Sequence, residues 1–153
     1  MPAYIDAALS DMVFGLLELR WGPFEVDVMA TDATAKCDRF FSRFACPNAE
    51  ATDVFSQDLS GFLCYCFPPT QLVMPFLLHL RDCRGRAVVV LPAKTSVWTP
   101  LLVGACIDRV SFGSDMVPFA FDSSRHGRLP SRAYNGVPYC AVLLNFAQRR
   151  LAC

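Results

Sequence analysis

The segment Phe62-Leu63-Cys64-Tyr65-Cys66-Phe67-Pro68-Pro69-Thr70 is an apolar, aromatic-rich run that stops at two consecutive prolines. A short run of this kind reads as a buried strand. Proline cannot donate to a sheet ladder and fixes its own φ, so the pair ends the strand and stiffens its tip. Carbonyls at such a tip are free to accept hydrogen bonds from a ligand, and in open α/β sheets ligands bind at the carboxyl ends of strands. The same residues also suit a plain strand-to-helix turn. The run thus sets two expectations: an α/β sheet, and a candidate site at the end of this strand.

Downstream, Thr70 is placed to cap a helix that runs to about Asp82, with Pro75 near its first turn and Gly85 closing it. Arg86-Ala87-Val88-Val89-Val90-Leu91 is a continuous apolar strand of the kind buried on both faces. It ends at Pro92, and Thr95-Ser96 offers a second cap for a short helix through Cys106. The tail predicts strands at 109–112, 117–121 and 139–146. Upstream, Ala3 to Leu19 carries apolar residues at helical spacing, stopped by Gly22-Pro23, and Phe24 to Val28 alternates as a short strand. Phe40-Phe41-Ser42-Arg43-Phe44 is an aromatic segment, and Pro47 to Asp58 reads as irregular. Strands alternating with helices, then a β-rich tail, predict a three-layer α/β sheet with an antiparallel C-terminal part. No repeat or linker divides residues 1–153, so one domain is expected.

Composition is permissive. A chain of 153 residues with 54% hydrophobic and 18% charged residues builds a packed core and is not disordered. Its formal net charge of zero supplies no global field for a polyanion, so nucleic-acid binding requires a local patch. Of the eight cysteines, Cys64, Cys66, Cys106 and Cys140 sit within apolar runs, where a reduced thiol acts as a small core residue. There is no CxxC pair and there are only two histidines, His79 and His126, so no metal is expected. The start Met1-Pro2-Ala3-Tyr4 carries no basic, apolar signal sequence, and prolines break the apolar stretch from Gly61 to Leu80. These features predict an intracellular protein with reduced thiols and no membrane span.

Three features stand in order: Asp27 at the end of the first strand before the small-residue turn Met29-Ala30-Thr31, then Asp58, then a strand ending in Pro68-Pro69. This order resembles the DNA amino-methyltransferases. There an acidic turn and a later Asp hold S-adenosylmethionine, and a strand-end [Asp/Asn]-Pro-Pro-aromatic motif binds a flipped base. The likeness is closer to the phage-type Dam-like adenine methyltransferase domain. Val26-Asp27-Val28-Met29-Ala30-Thr31-Asp32 with Ala35-Lys36-Cys37-Asp38-Arg39-Phe40-Phe41, Gln57-Asp58-Leu59 and Leu91-Pro92-Ala93-Lys94-Thr95 are similar to stretches of that family. Arg20-Trp21-Gly22-Pro23, Phe41-Ser42-Arg43-Phe44, Ala49 to Asp53, Phe55 to Asp58 and Phe67-Pro68-Pro69 also resemble the methyltransferase-like module of DIRS-type retrotransposons. That module lies beside reverse transcriptase and RNase H. The resemblance covers roughly residues 20–122 and, weakly, the last strand. It implies a Rossmann-like methyltransferase sheet of retroelement or phage descent. S-adenosylmethionine would lie at Asp27, Ala30 and Asp58, DNA would be the substrate, and reverse transcriptase and RNase H would be neighbours.

The chemistry the resemblance implies is demanding. An adenine amino group is a poor nucleophile, and in the related enzymes the Asp or Asn side chain and the adjacent proline carbonyl accept its hydrogens while the aromatic residue stacks on the extruded base. Here Phe67 occupies the Asp/Asn position and Thr70 the aromatic position. Phe67 accepts no hydrogen bond, and loss of one such acceptor costs two or three orders of magnitude in rate. Gln71 is the nearest polar substitute. The cofactor turn also has Ala30 and Thr31 where glycines would let backbone approach a ligand. Two readings follow: a methyltransferase-like domain degenerate at Phe67, Pro68, Pro69 and Thr70, or a non-catalytic nucleic-acid-binding or scaffolding module on the same fold. Arg125, His126, Arg128 and Arg132 form a basic loop suited to phosphate contacts, or to plain solvation. Asp27 and Asp58 equally suit turn capping. Trp98 and His79 read as helix-face residues.

Overall fold

The computed structural model describes residues 7–112, 119–121 and 138–147. In chain order its elements are β1 (Ala7–Leu9), α1 (Asp11–Trp21), β2 (Val26–Asp27), β3 (Phe41–Ser42), β4 (Ala51–Thr52), β5 (Leu63–Cys66), α2 (Val73–Asp82), β6 (Arg86–Pro92), α3 (Thr99–Leu102), β7 (Cys106–Ser111), β8 (Phe119–Phe121) and β9 (Tyr139–Asn145). Short 3-10 turns occupy Val54–Ser56 and Thr70–Leu72.

The chain is a mixed α/β protein built on a five-stranded sheet in the order β2-β5-β6-β9-β7. The first three strands run parallel, and β9 lies antiparallel between β6 and β7. Its centre is β6, paired along its length with β9 from Arg86–Asn145 to Pro92–Tyr139. The Val-rich run supplies side chains that suit a pleated surface covered on both faces. On its far edge β2 bridges Phe40 in parallel through Asp27, and β3 pairs in parallel with β4. The bonds Asp27 N–H to Arg39 O (3.0 Å) and Ala30 N–H to Phe41 O (3.0 Å) tie the two ladders. β1 and β8 form a separate antiparallel pair.

Alternation along the strands divides the core. Ala87, Val89 and Leu91 join α2 residues Val73, Phe76, Leu77 and Leu80 in one cluster. Val88 and Val90 join Tyr65, Phe67 and the α1 residues Val13, Phe14 and Leu17 in another. Burial of each such large apolar side chain contributes about 1.5–3 kcal/mol, so α1 and α2 are held by their inner faces. Among the described residues no helix is long and apolar enough to cross a membrane, and Cys37, Cys46, Cys64, Cys66, Cys83, Cys106 and Cys140 are free thiols.

Several boundaries differ from expectation. The first helix starts at Asp11, because Ser10 accepts from Val13 N–H at 3.2 Å and caps it, while Ala7–Leu9 pairs with β8. Thr70 does not cap α2. It opens a 3-10 turn instead, and the cap position is Leu72 with no side-chain bond. Pro75 does fall in the first turn of α2. The short helix α3 spans Thr99–Leu102 only, because Thr99 rather than Thr95 or Ser96 closes the turn by accepting from Ser96 N–H at 2.9 Å. Cys106 already belongs to β7. After α2 the left-handed residue is Arg84 (φ 53°). Gly85 is needed for close approach, since a Cβ there would come within 2.7 Å of Leu80 Cδ1 and 3.2 Å of Leu59 O. Within the segment expected to be irregular, Ala51–Thr52 forms β4.

Candidate functional site

Because β2 and β5 are parallel neighbours, Val26 facing Cys64 and Asp27 facing Tyr65, their carboxyl ends adjoin. From there the chain runs outward in opposite directions, towards β3 after β2 and through α2 towards β6 after β5. A crevice of this kind is where open α/β sheets bind ligands. The sheet thus brings Asp27 and Ala30 to the same edge as Phe67, Pro68, Pro69 and Thr70. Asp53, at the end of β4, shares that edge. It holds a positive φ (64°) while its carboxylate accepts from Phe55 N–H and Ser56 Oγ.

Asp27 is buried, at 2% exposure. Its two carboxyl oxygens accept from Met29 N–H (3.4 Å) and Lys36 N–H (3.1 Å), so the side chain closes the loop that follows β2. Burial pushes its pKa up to about 7, outweighing the pull of those two N–H groups and of the Lys36 charge. The rest of the loop is also internally bonded: Ala30 N–H donates to Phe41 O, Thr31 N–H to Thr34 Oγ1 (2.9 Å), and Ala35 N–H to Thr31 O (2.9 Å).

Asp58 lies elsewhere. It precedes the amino end of β5, at the opposite edge of the sheet, and accepts from Ser60 N–H at 2.9 Å in an exposed turn. That bond holds its carboxyl below the usual range. Asp27, Ala30 and Asp58, the residues the resemblance assigns to S-adenosylmethionine, therefore do not converge. One is buried and bonded to its own loop, one has its N–H occupied by Phe41, and one is across the sheet. As assigned, they do not fit that cofactor.

The Pro-Pro tip is built as the sequence predicts, but its flanking side chains are turned to structural use. The Phe67 ring is buried, 5.9 Å from that of Tyr139, and burial pushes the Tyr139 phenol up, with the neighbouring Thr70 side chain opposing that rise. Both clamp positions thus meet one residue at the start of β9. Pro68 is buried and Pro69 half-buried. The Pro69 carbonyl accepts from Leu72 N–H at 2.8 Å, and no donor among the described residues is bonded to that of Pro68. Gln71 is exposed. Tyr65, beside Asp27, buries a hydroxyl with no partner among the described residues.

Nothing local in the sequence marks Tyr139. Its partners are about seventy residues away, and only the β6–β9 pairing, which sets Tyr139 opposite Pro92, brings it to this edge. Trp98 is a core residue, its buried indole N–H lacking a partner among the described residues. The ring of His79 is bonded through Nε2 to Gln57 O at 2.8 Å and lies 3.7 Å from Cys83 Sγ. Among the described residues no group of three or more His, Cys, Asp or Glu is gathered to hold a metal ion. Arg125, His126, Arg128 and Arg132 lie outside the described residues. No protein-family model matches this chain, and a search of curated proteins returns no match.

Proposed function

We propose that this chain is a Dam-like methyltransferase-fold module, of retroelement or phage descent, that no longer transfers methyl groups and serves as a nucleic-acid-binding or scaffolding unit. The observation that carries this reading is the burial of the Phe67 ring against Tyr139 at the position where the clamp needs an acceptor, with Thr70 beside the same phenol where the clamp needs an aromatic ring. A side chain committed to the core cannot polarise an amino group in the crevice. Support for the Rossmann-like, three-layer form comes from the strand order. Counted through the Asp27–Phe40 bridge, β4-β3-β2-β5-β6 follows the 3-2-1-4-5 order of doubly wound sheets. The separate clusters around α1 and α2 supply a layer on each face. Neighbouring reverse transcriptase and RNase H modules are the partners this descent implies.

One observation favours the second reading, a slowed S-adenosylmethionine-dependent adenine methyltransferase. The Pro68 carbonyl, half of the amino clamp, has no bonded donor among the described residues at the switch point. Calorimetric titration with S-adenosylmethionine, with S-adenosylhomocysteine as control, separates the two. The expected result is flat heats, an unchanged melting temperature and no adenine methylation of DNA. Micromolar binding with methyl transfer would overturn the non-catalytic reading. Phe67→Asn with Thr70→Tyr then locates the loss. Methylation gained by the double variant would mean that only the clamp had gone; a folded but inactive variant is expected, since Asp27, Ala30 and Asp58 do not converge.

A further inference from the structure

Apart from the crevice at β2 and β5, a cavity of about 180 Å³ lies between the β6–β9–β7 part of the sheet and the segment that follows β6. Leu91, Cys140 and Val142 form its apolar floor, and Lys94, Thr99 and Arg109 line it with polar groups. The register explains the convergence: Leu91 faces Cys140 across β6–β9, and Val142 faces Arg109 across β9–β7.

The charge at this cavity is one-sided. Among the described residues no carboxylate lines it. Asp108, next to Arg109, projects from the other face of β7, where Arg20 (3.0 Å) and the Trp21 indole (2.9 Å) hold it. Among the described residues no acid pairs with Lys94 or Arg109. Thr99 Oγ1 accepts from Ser96 N–H, which leaves its hydroxyl proton to donate. A lysine point charge, an arginine fork and a hydroxyl donor are the groups that recognise an oxyanion. Size narrows the choice. At about 30 Å³ per water the cavity holds roughly six waters, below the several hundred Å³ of a pocket for a whole nucleoside-sized ligand.

We infer that this cavity binds a single phosphate group through Lys94, Arg109 and Thr99, either as free phosphate or as one phosphodiester of a DNA strand. The free-phosphate arm is independent of the function proposed above, whereas the DNA arm rests on it. The test uses the full chain and a Lys94→Gln/Arg109→Gln double variant. Both side chains are exposed, so the variant keeps its melting temperature. Amide shifts are followed on addition of inorganic phosphate at fixed ionic strength, with chloride as control. A DNA hairpin is then titrated by fluorescence anisotropy over a salt series. The parent is expected to show saturable shifts at Lys94, Thr95 and Arg109, weakened tenfold or more in the double variant. If the group is a phosphodiester, the variant also loses DNA affinity and its log–log salt slope falls by up to about 2. Unchanged DNA behaviour with weakened phosphate binding assigns the cavity to free phosphate. Identical responses of parent and variant to both probes, or shifts matched by chloride, overturn the inference.

Discussion

Asp27 is a carboxyl group removed from water and compensated by only two backbone N–H groups and a nearby lysine. Its folded pKa of about 7 lies above the ordinary 3.8. Between those values the folded chain keeps the proton that the unfolded chain has already released. The unfolded state therefore binds fewer protons, and this group's contribution to stability falls as pH rises from about 4 to 7, by on the order of 4 kcal/mol at 1.36 kcal/mol per unit. The lowered carboxyls of Asp11, Glu50, Asp58 and Asp108 work in the opposite direction, but they are exposed and screened. Asp27→Asn keeps an acceptor for the loop and removes the charge. Urea unfolding at pH 4.5 and 7.5 is expected to show the parent losing several kcal/mol relative to the variant across that window. Parallel curves for the two proteins would mean that Asp27 is ionised throughout. None of this is visible in Val26-Asp27-Val28, because burial, not identity, sets the pKa. The sequence marks an acid at a strand end but not that its oxygens are spent on Met29 and Lys36.

At the scale of elements, local pattern is legible in the sequence, and whatever depends on a distant partner is not. The Val88-Val89-Val90 run, the apolar 139–146 segment and the helix up to Asp82 carry their own periodicity. By contrast, Ala7-Ala8-Leu9 continues the apolar spacing of the following helix and becomes a strand only because Phe119–Phe121 lies beside it. Likewise α3 stops at Leu102 because the chain turns into β7, whose pairing with β9 spans a long sequence separation. Two glycines near helices make opposite predictions from the same observable. Gly15 is exposed in the middle of α1, and a Cβ added there would meet nothing within 4 Å, so Gly15→Ala adds about 1 kcal/mol of stability. Gly85→Ala drives its methyl into Leu80 and the Leu59 carbonyl and costs about 1–3 kcal/mol. Thermal denaturation checks both, at roughly 2–4 °C per kcal/mol for a chain of this size. A destabilised Gly15→Ala variant would show that α1 is not held as an ordinary helix.

For the whole molecule, β9 is the strand on which fold and site depend together. It pairs with β6 on one side and β7 on the other, so without it β7 has no neighbour among the described residues of the sheet and β6 loses its partner on that side. It also carries Tyr139, whose ring packs against Phe67 at the crevice, and Cys140 and Val142, the floor of the anion cavity. The resemblance proposed from the sequence is strongest over 20–122 and weak at the last strand, yet burial gives the reverse weighting. Tyr139, Val142 and Leu144 are 4%, 2% and 0% exposed. At about 2 kcal/mol for each buried side chain, losing them removes about 6 kcal/mol, comparable with the 5–15 kcal/mol net stability of a typical domain. A chain ending at residue 122 is therefore expected not to fold cooperatively. It should lose its near-ultraviolet circular dichroism, unfold without a sharp urea transition and expose Val88 and Val90 to hydrophobic dye. Adding back a peptide spanning 138–147 should restore a transition, because the strand contributes through pairing and burial rather than through chain connection. A sharp, native-like transition in the 1–122 fragment alone would show that the parallel strands and α2 form a self-sufficient core, and that β9 serves the site but not the fold.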